Sequence, residues 1–183
     1  MVKHVFRYLL GTVDYKLSFR KSIGGLKLVG HTDADWASSV PDRKSTSGHC
    51  FMLNDFGPVV AWKSKKQPTV ALSSCESEYV ALCASVQESV YLGRLITELL
   101  QKSFEPVTIH VDNQGAIDLA KNPTHHERSK HIDIKYHFSR DCVAEGKVEV
   151  VHVPSECNVA DMMTKAVSKG KLLKFRDTLF GVS

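Results

Sequence analysis

The sequence predicts an α/β fold: a five-stranded mixed sheet, its first three strands antiparallel, flanked by helices and preceded by an extra N-terminal helix and strand. Three observations predict it. Short β-prone runs separated by turn residues fill residues 14–72, the apolar period becomes helical from Ser74, and apolar strands then alternate with helices. Strands joined by short turns make an antiparallel meander, whereas strand–helix–strand order adds parallel neighbours, so the sheet is mixed.

Residues 2–10 set Val2, Val5, Phe6, Leu9 and Leu10 on one apolar stripe of a short helix ending at Gly11. That stripe requires a surface to pack on, and a helix opening the chain without an N-cap reads as a piece of a longer polypeptide. Residues 14–20 read as a strand and 22–25 as a turn. Residues 26–33 read as the first main strand, with Leu26, Leu28 and Gly30 on one face and Val29, His31 and Asp33 on the other. A polar loop at 43–47 precedes a strand at 48–53, a turn at 54–58 and a third strand at 59–64, with further β-prone residues at 70–72.

From Ser74 the residues Tyr79, Cys83, Val86 and Val90 recur at helical spacing, so a long helix runs to Leu100, with Ser73 or Ser74 as N-cap and acids in its first turns. After Pro106 the run VTIHV is a strand leading into Asp112, followed by a helix at 114–121. A basic, histidine-rich stretch over 121–140 continues as a helix with Ile134, Phe138 and Cys142 on its buried edge, ended by Gly146. Residues 148–153 alternate as the last strand, and helices over 158–165 and 169–180 close the chain.

At 183 residues and 43% hydrophobic, the chain has enough apolar surface for one well-buried core plus an appendage. A net charge of +4 and a pI near 8.8 permit a polyanionic partner without requiring one. No apolar run approaches the ~18 residues of a membrane span. Residues 2–20 carry charges throughout, unlike a signal peptide, so an intracellular, membrane-free protein is expected. The five cysteines are odd in number and lack a CxxC pair, as expected of reduced, mostly buried thiols; nothing in their spacing supports a zinc site at Cys142 and Cys157.

Four acids stand at structural punctuation. Asp33 ends the first core strand, Glu78 lies in the first turns of the long helix, Asp112 ends a parallel strand and Asp161 follows the last strand. Strand ends and helix starts of such a sheet converge on one edge. Carboxylates gathered there repel one another, and a hard dication with oxygen ligands relieves the repulsion. Four would hold two ions roughly 3.5–4 Å apart, the arrangement that activates a water and stabilises a leaving oxygen. Asp35 and Glu76, each two residues from a favoured acid, are secondary metal-site candidates; Glu76 reads first as a residue favourable to the helix dipole.

The blocks HTDADWA, DRKSTSG, KKQPTVALSSCESEYVAL, VDNQGAI, RSKHIDIKYHF and VPSECNVADMMTK stand in one order and separation. In them the chain resembles, over nearly all its length, the ribonuclease H domain of copia-type LTR retrotransposon Pol polyproteins. Residues 1–24 resemble the tail of the reverse transcriptase connection region, and 25–183 the ribonuclease H domain. The resemblance implies a ribonuclease H-like fold and metal-dependent hydrolysis of the RNA strand of an RNA–DNA hybrid, leaving 5′-phosphate and 3′-hydroxyl ends. It implies Asp33, Glu78, Asp112 and Asp161 as the catalytic and metal-binding acids, with two Mg²⁺ ions, or Mn²⁺ as substitute. The hybrid and the reverse transcriptase of the same polyprotein are the implied partners. The implied location is the cytoplasm, within a virus-like particle, or the nucleus. One departure stands out: the loop at 154–160 lacks the mobile histidine of many cellular ribonucleases H, and His152 is a poor substitute, so turnover is slow or another histidine serves.

Substrate contacts are expected at Ser73 and Ser74, whose helix start offers N–H groups to a phosphate, and at Asn113 beside Asp112. Arg43, Lys44, Lys63, Lys65 and Lys66 read either as a solvated face or as a track for the nucleic-acid backbone. Lys130 and His131 are expected hybrid contacts, although His131 and Asp133 read first as hydrogen-bonded structural residues; His125 and His126 read as surface loop and Trp36 and Trp62 as core. Two alternatives stand beside the nuclease: a hybrid-binding domain with little activity apart from its reverse transcriptase, and a DNA-acting transposase relative, against which ESEYVAL argues.

Overall fold

The computed structural model describes residues 2–20, 25–55, 57–121 and 130–182, with the side chains of 130–135 outside the described residues. His125 and His126, most of the turn at 22–25, and the side chains of Lys130, His131, Asp133 and Ile134 therefore lie outside them. The strands are β1 Leu28–Asp35, β2 Thr46–Leu53, β3 Val59–Lys66, β4 Val107–Val111 and β5 Val148–His152, in the order β3-β2-β1-β4-β5. β1 pairs antiparallel with β2, and β2 with β3, whereas β1–β4 and β4–β5 are parallel. The helices are α1 Val2–Leu10, α2 Ser74–Leu100, α3 Gln114–Lys121, α4 Lys130–Ala144, α5 Asp161–Thr164 and α6 Lys169–Phe180.

Strand alternation divides the apolar residues between two cores. Leu28, Phe51, Ile109, Val111 and Val150 meet Tyr79, Leu82 and Val86 of α2 on one face. Cys50, Met52 and Val59 meet Val159, Phe175 and Leu179 on the other. Burial of each large apolar side chain stabilises the fold by roughly 1.5–3 kcal/mol, so helices are held on both faces and the sheet between them is rigid.

Several expectations are corrected. Residues 14–20 form no strand, because both edges of β1 are taken by β2 and β4; the segment instead lies on α6. There Ser18 N donates to Phe180 O at 2.8 Å, Arg176 Nη1 donates to the Tyr15 hydroxyl at 2.8 Å, and Tyr15 meets the Phe180 ring edge-on. Gly181, at φ 69°, makes that approach possible, since a Cβ would lie 2.5 Å from Ser18 O. Residues 70–72 are not a strand either.

Trp36 and Trp62 are exposed rather than core. β3 is an edge strand buried only at Val59, which leaves Trp62 in solvent. The Trp36 indole needs an acceptor, and donates at 3.1 Å to Ala71 O in the loop before α2. Phe138 is also exposed, while Cys142 is buried as expected. All five cysteines are free; Cys50, Cys83 and Cys142 are buried and Cys157 is exposed. The helix expected over 158–165 begins later, at Asp161, after a 3-10 turn at Ser155–Cys157, whereas α6 spans the expected 169–180. α1 forms as expected but buries none of its residues.

Candidate active site

The parallel ladder between β1 and β4 ends at the pair His31 and His110. Two residues further on, each strand presents its acid, Asp33 and Asp112. Glu78 comes from α2, whose start is fixed three ways. Ser73 caps it by accepting from Glu76 N at 3.1 Å, Trp36 holds the preceding loop, and buried Gln67 donates to Ser77 O at 2.9 Å and to Ser47 Oγ at 2.8 Å. A carboxylate one turn further into the helix is thereby placed against the end of β1, where it accepts from the Ala34 N–H.

Asp33, Glu78 and Asp112 each bring a carboxylate oxygen within 4.8 Å of the others. Asp33 and Glu78 are buried and Asp112 is half-buried. Burial, with Asp33 and Asp112 adding repulsion, pushes the Glu78 carboxyl up to about 9. Burial likewise raises Asp33 to about 6, although Thr164 and Lys165 pull the other way. Glu78 Oε2 is buried without a hydrogen-bond partner. An orphaned acceptor among three converging oxygens fits a hard divalent cation.

Asp161 approaches from the other side on α5. Lys165 Nζ lies 2.9 Å from Asp161 Oδ1 and 3.6 Å from Asp33 Oδ2, and the Thr164 hydroxyl donates to Asp33. Lys171 donates to the second Asp161 oxygen and, at 2.8 Å, to Ser155 O. Burial acts to raise the Asp161 pKa, but the two lysines outweigh it and hold the carboxyl below its usual range. α5 reaches this position because Gly48 stands opposite Asp33 in the ladder: a Cβ there would lie 2.6 Å from Met163 Cβ. Buried Asn158 completes the anchor, donating to Thr32 O at 2.9 Å and accepting from Ala160 N at 3.2 Å.

The four predicted acids thus lie at one end of the sheet, three in direct convergence and Asp161 joined to Asp33 through Lys165. Asp35, paired with Thr46, lies outside the cluster, and Glu76 accepts from Leu72 N at 2.8 Å. Ser73 is the N-cap and Ser74 is exposed at the first turn of α2; Asn113 caps α3, accepting from Ala116 N at 3.0 Å. Arg43 is exposed, and the Lys66–Asp42 ion pair at 2.9 Å ties the end of β3 to Arg43's loop. Lys63, Lys65 and Lys66 line a cavity of about 250 Å³ with His49, Gln67, Cys83 and Tyr136. Sequence reasoning missed Thr164, Lys165, Lys171 and Asn158. The first two stand three and four residues after Asp161, a spacing that places them on its side of a helical turn; Lys171 carried no such signal.

No family model matches the chain. It is 41% identical over 170 residues to the retrovirus-related Pol polyprotein from transposon TNT 1-94 of Nicotiana tabacum, covering 93% of this chain and 12% of that polyprotein. It is 39% identical over 168 residues to the corresponding polyprotein from transposon RE2 of Arabidopsis thaliana, covering 92% of this chain and 11% of that one. Among solved structures it is similar to LC11-RNase H1 in complex with an RNA/DNA hybrid, with a TM-score of 0.54 and 15% identity, covering 75% of this chain and 94% of that one. Over nearly all its length the chain thus matches copia-type retrovirus-related Pol polyproteins, of which it spans about an eighth, and it has the ribonuclease H-like fold.

Proposed function

We propose that this domain is a divalent-metal-dependent endoribonuclease that cuts the RNA strand of an RNA–DNA hybrid during reverse transcription, leaving 5′-phosphate and 3′-hydroxyl ends. The observation that carries the proposal is the convergence of Asp33, Glu78 and Asp112 around the orphaned Glu78 Oε2. Asp33, Glu78, Asp112 and Asp161 would hold a pair of Mg²⁺ or Mn²⁺ ions. When bound, such ions activate a water and stabilise the departing oxygen of a phosphodiester. The chain's own part is to keep four carboxylates fixed on rigid elements: Thr164 orients Asp33, Lys171 orients Asp161, and the Ala34 N–H orients Glu78.

Substrate would be held by its backbone. Exposed Lys63 and Lys65 on one face of β3, with Lys66 and Arg43 beside them, form a cationic stretch suited to phosphates. The complex of LC11-RNase H1 with a hybrid and the Pol polyprotein relatives support this substrate and context. Residues 1–24 would then belong with the reverse transcriptase connection region and 25–183 with the nuclease, acting in the cytoplasm within a virus-like particle or in the nucleus. No helix among the described residues is long and apolar enough to cross a membrane.

A strand-labelled hybrid, single-stranded RNA, duplex RNA and duplex DNA, each incubated with the protein in Mg²⁺ and in Mn²⁺, test the proposal. Internal cuts confined to the RNA of the hybrid are expected. Cleavage of duplex DNA would contradict it, and hybrid binding without cleavage in either metal would leave a binding domain only.

A further inference from the structure

Lys165 and Lys171 both reach Asp161, yet they are held differently. Lys171 is fixed at three points: the second Asp161 oxygen, Ser155 O at 2.8 Å, and the Phe175 ring, whose centroid lies 5.2 Å from Nζ. Lys165 follows the single turn of α5, its backbone N donating to Asp161 O at 3.0 Å, so its side chain starts over that acid. Its ammonium then stands between two carboxylates of the site, with Asp112 adding attraction, and among the described residues it is held by acids of the site. With 42% of its side chain exposed, it can leave for solvent by rotation about a flexible four-carbon stem.

The position matters because a small dication binds carboxylate oxygens at 2.0–2.1 Å. An ion held by Asp33 and Asp161 together would need the space between them in which the Lys165 ammonium stands, so the two cations compete for it. Within the Asp33–Glu78–Asp112 group the ammonium pairs with Asp33 alone, and the orphaned Glu78 oxygen is left unsatisfied.

We propose that Lys165 is an exchangeable internal cation: the Asp33–Glu78–Asp112 group takes the first divalent ion, and an ion between Asp33 and Asp161 enters only by displacing the Lys165 ammonium. Lys165 is thus a positioning residue that keeps Asp33 and Asp161 close while that seat lacks a metal, and it makes the second ion the weaker one. The inference rests on the metal-dependent function proposed above and goes beyond it, because it ranks the two seats and names what separates them.

Titration of the full chain with Mn²⁺, counting bound ions by the electron paramagnetic resonance of the free ion, tests it without recourse to activity. The wild type is expected to bind one ion and then a second at least about tenfold more weakly. Lys165→Met is expected to tighten the second ion about tenfold and leave the first unchanged, Lys165→Arg to behave as the wild type, and Lys171→Met to leave the second ion weak. Melting curves establish that each variant is folded. Two equivalent ions in the wild type, no change in Lys165→Met, or equal tightening in Lys171→Met, which would reveal only a general loss of positive charge, would each overturn the inference. Failure of any of these proteins to bind Mn²⁺ would overturn the metal-dependent function itself.

Discussion

Asn158 shows how much a single side chain can fix. Its amide donates to the backbone of β1 and accepts from the residue before α5, and it is fully buried. Removing it strands the Thr32 carbonyl and the Ala160 N–H away from water. Asn158→Ala is therefore expected to lower stability by about 1–3 kcal/mol in urea unfolding and, by loosening Asp161, to slow hybrid cleavage more than that loss of stability explains. At this scale the sequence was informative where punctuation and chemistry coincide: Asp33, Glu78 and Asp112 announce themselves as acids at strand ends and a helix start. Lys171 does not, because its partner lies ten residues away across a loop. Trp36 and Trp62 misled because bulk was taken for burial, whereas one needed an acceptor for its N–H and the other sits on an edge strand.

Among the elements, α5 is the one whose placement decides the site. It is a single turn, held by Thr164, Asn158 and the close approach at Gly48 rather than by its own length. Gly48→Val would drive a side chain into Met163 and Thr164. Overpacking of this kind costs about 1–3 kcal/mol, and the variant should melt earlier and lose cleavage even at temperatures where it is fully folded. The opposite outcome, full cleavage at a wild-type melting temperature, would mean that α5 does not need to lie where it does. The long α2 was legible because 3.6-residue periodicity runs for many turns after a serine cap. Residues 14–20 alternate like a strand, but alternation says nothing about whether a free strand edge exists, and none was available beside β1.

For the whole molecule, buried histidines and buried carboxyls pull the response to acid in opposite directions. Burial, with Lys63 adding repulsion, lowers His49 to about 4; burial and His110 lower His31 to about 3, against a hydrogen bond that His31 donates to Asn158. Below pH 6.5 the unfolded chain takes up protons on these two histidines that the folded one does not, so their contribution to stability is complete above that value and falls as pH drops toward 4, whereas the raised Glu78 and Asp33 carboxyls act in the opposite sense and favour the folded chain as pH falls. Each unit of depression is worth about 1.4 kcal/mol. His49→Leu should remove the His49 part of this acid sensitivity, so that between pH 6.5 and 4 its melting temperature shifts toward stability relative to the wild type's as pH falls, while the His31 part remains. An unchanged profile would show that His49 is protonated in the folded state.

Charge on the molecular surface governs binding in turn. Lys63→Ala with Lys65→Ala is expected to weaken hybrid binding and to reduce the slope of log affinity against log salt by about one unit for each lost phosphate contact. An unaltered slope would place the nucleic acid elsewhere on the molecule.

Residues 33, 78 and 112 are far apart in the chain, and the account depends on their acting as one cation seat. Hybrid cleavage in Mg²⁺ by Asp112→Asn, compared with the wild type and checked by a cooperative melt, tests this most directly. A folded variant at least about 10²-fold slower than the wild type is the predicted result. A folded variant that cuts the RNA strand at the wild-type rate would contradict it.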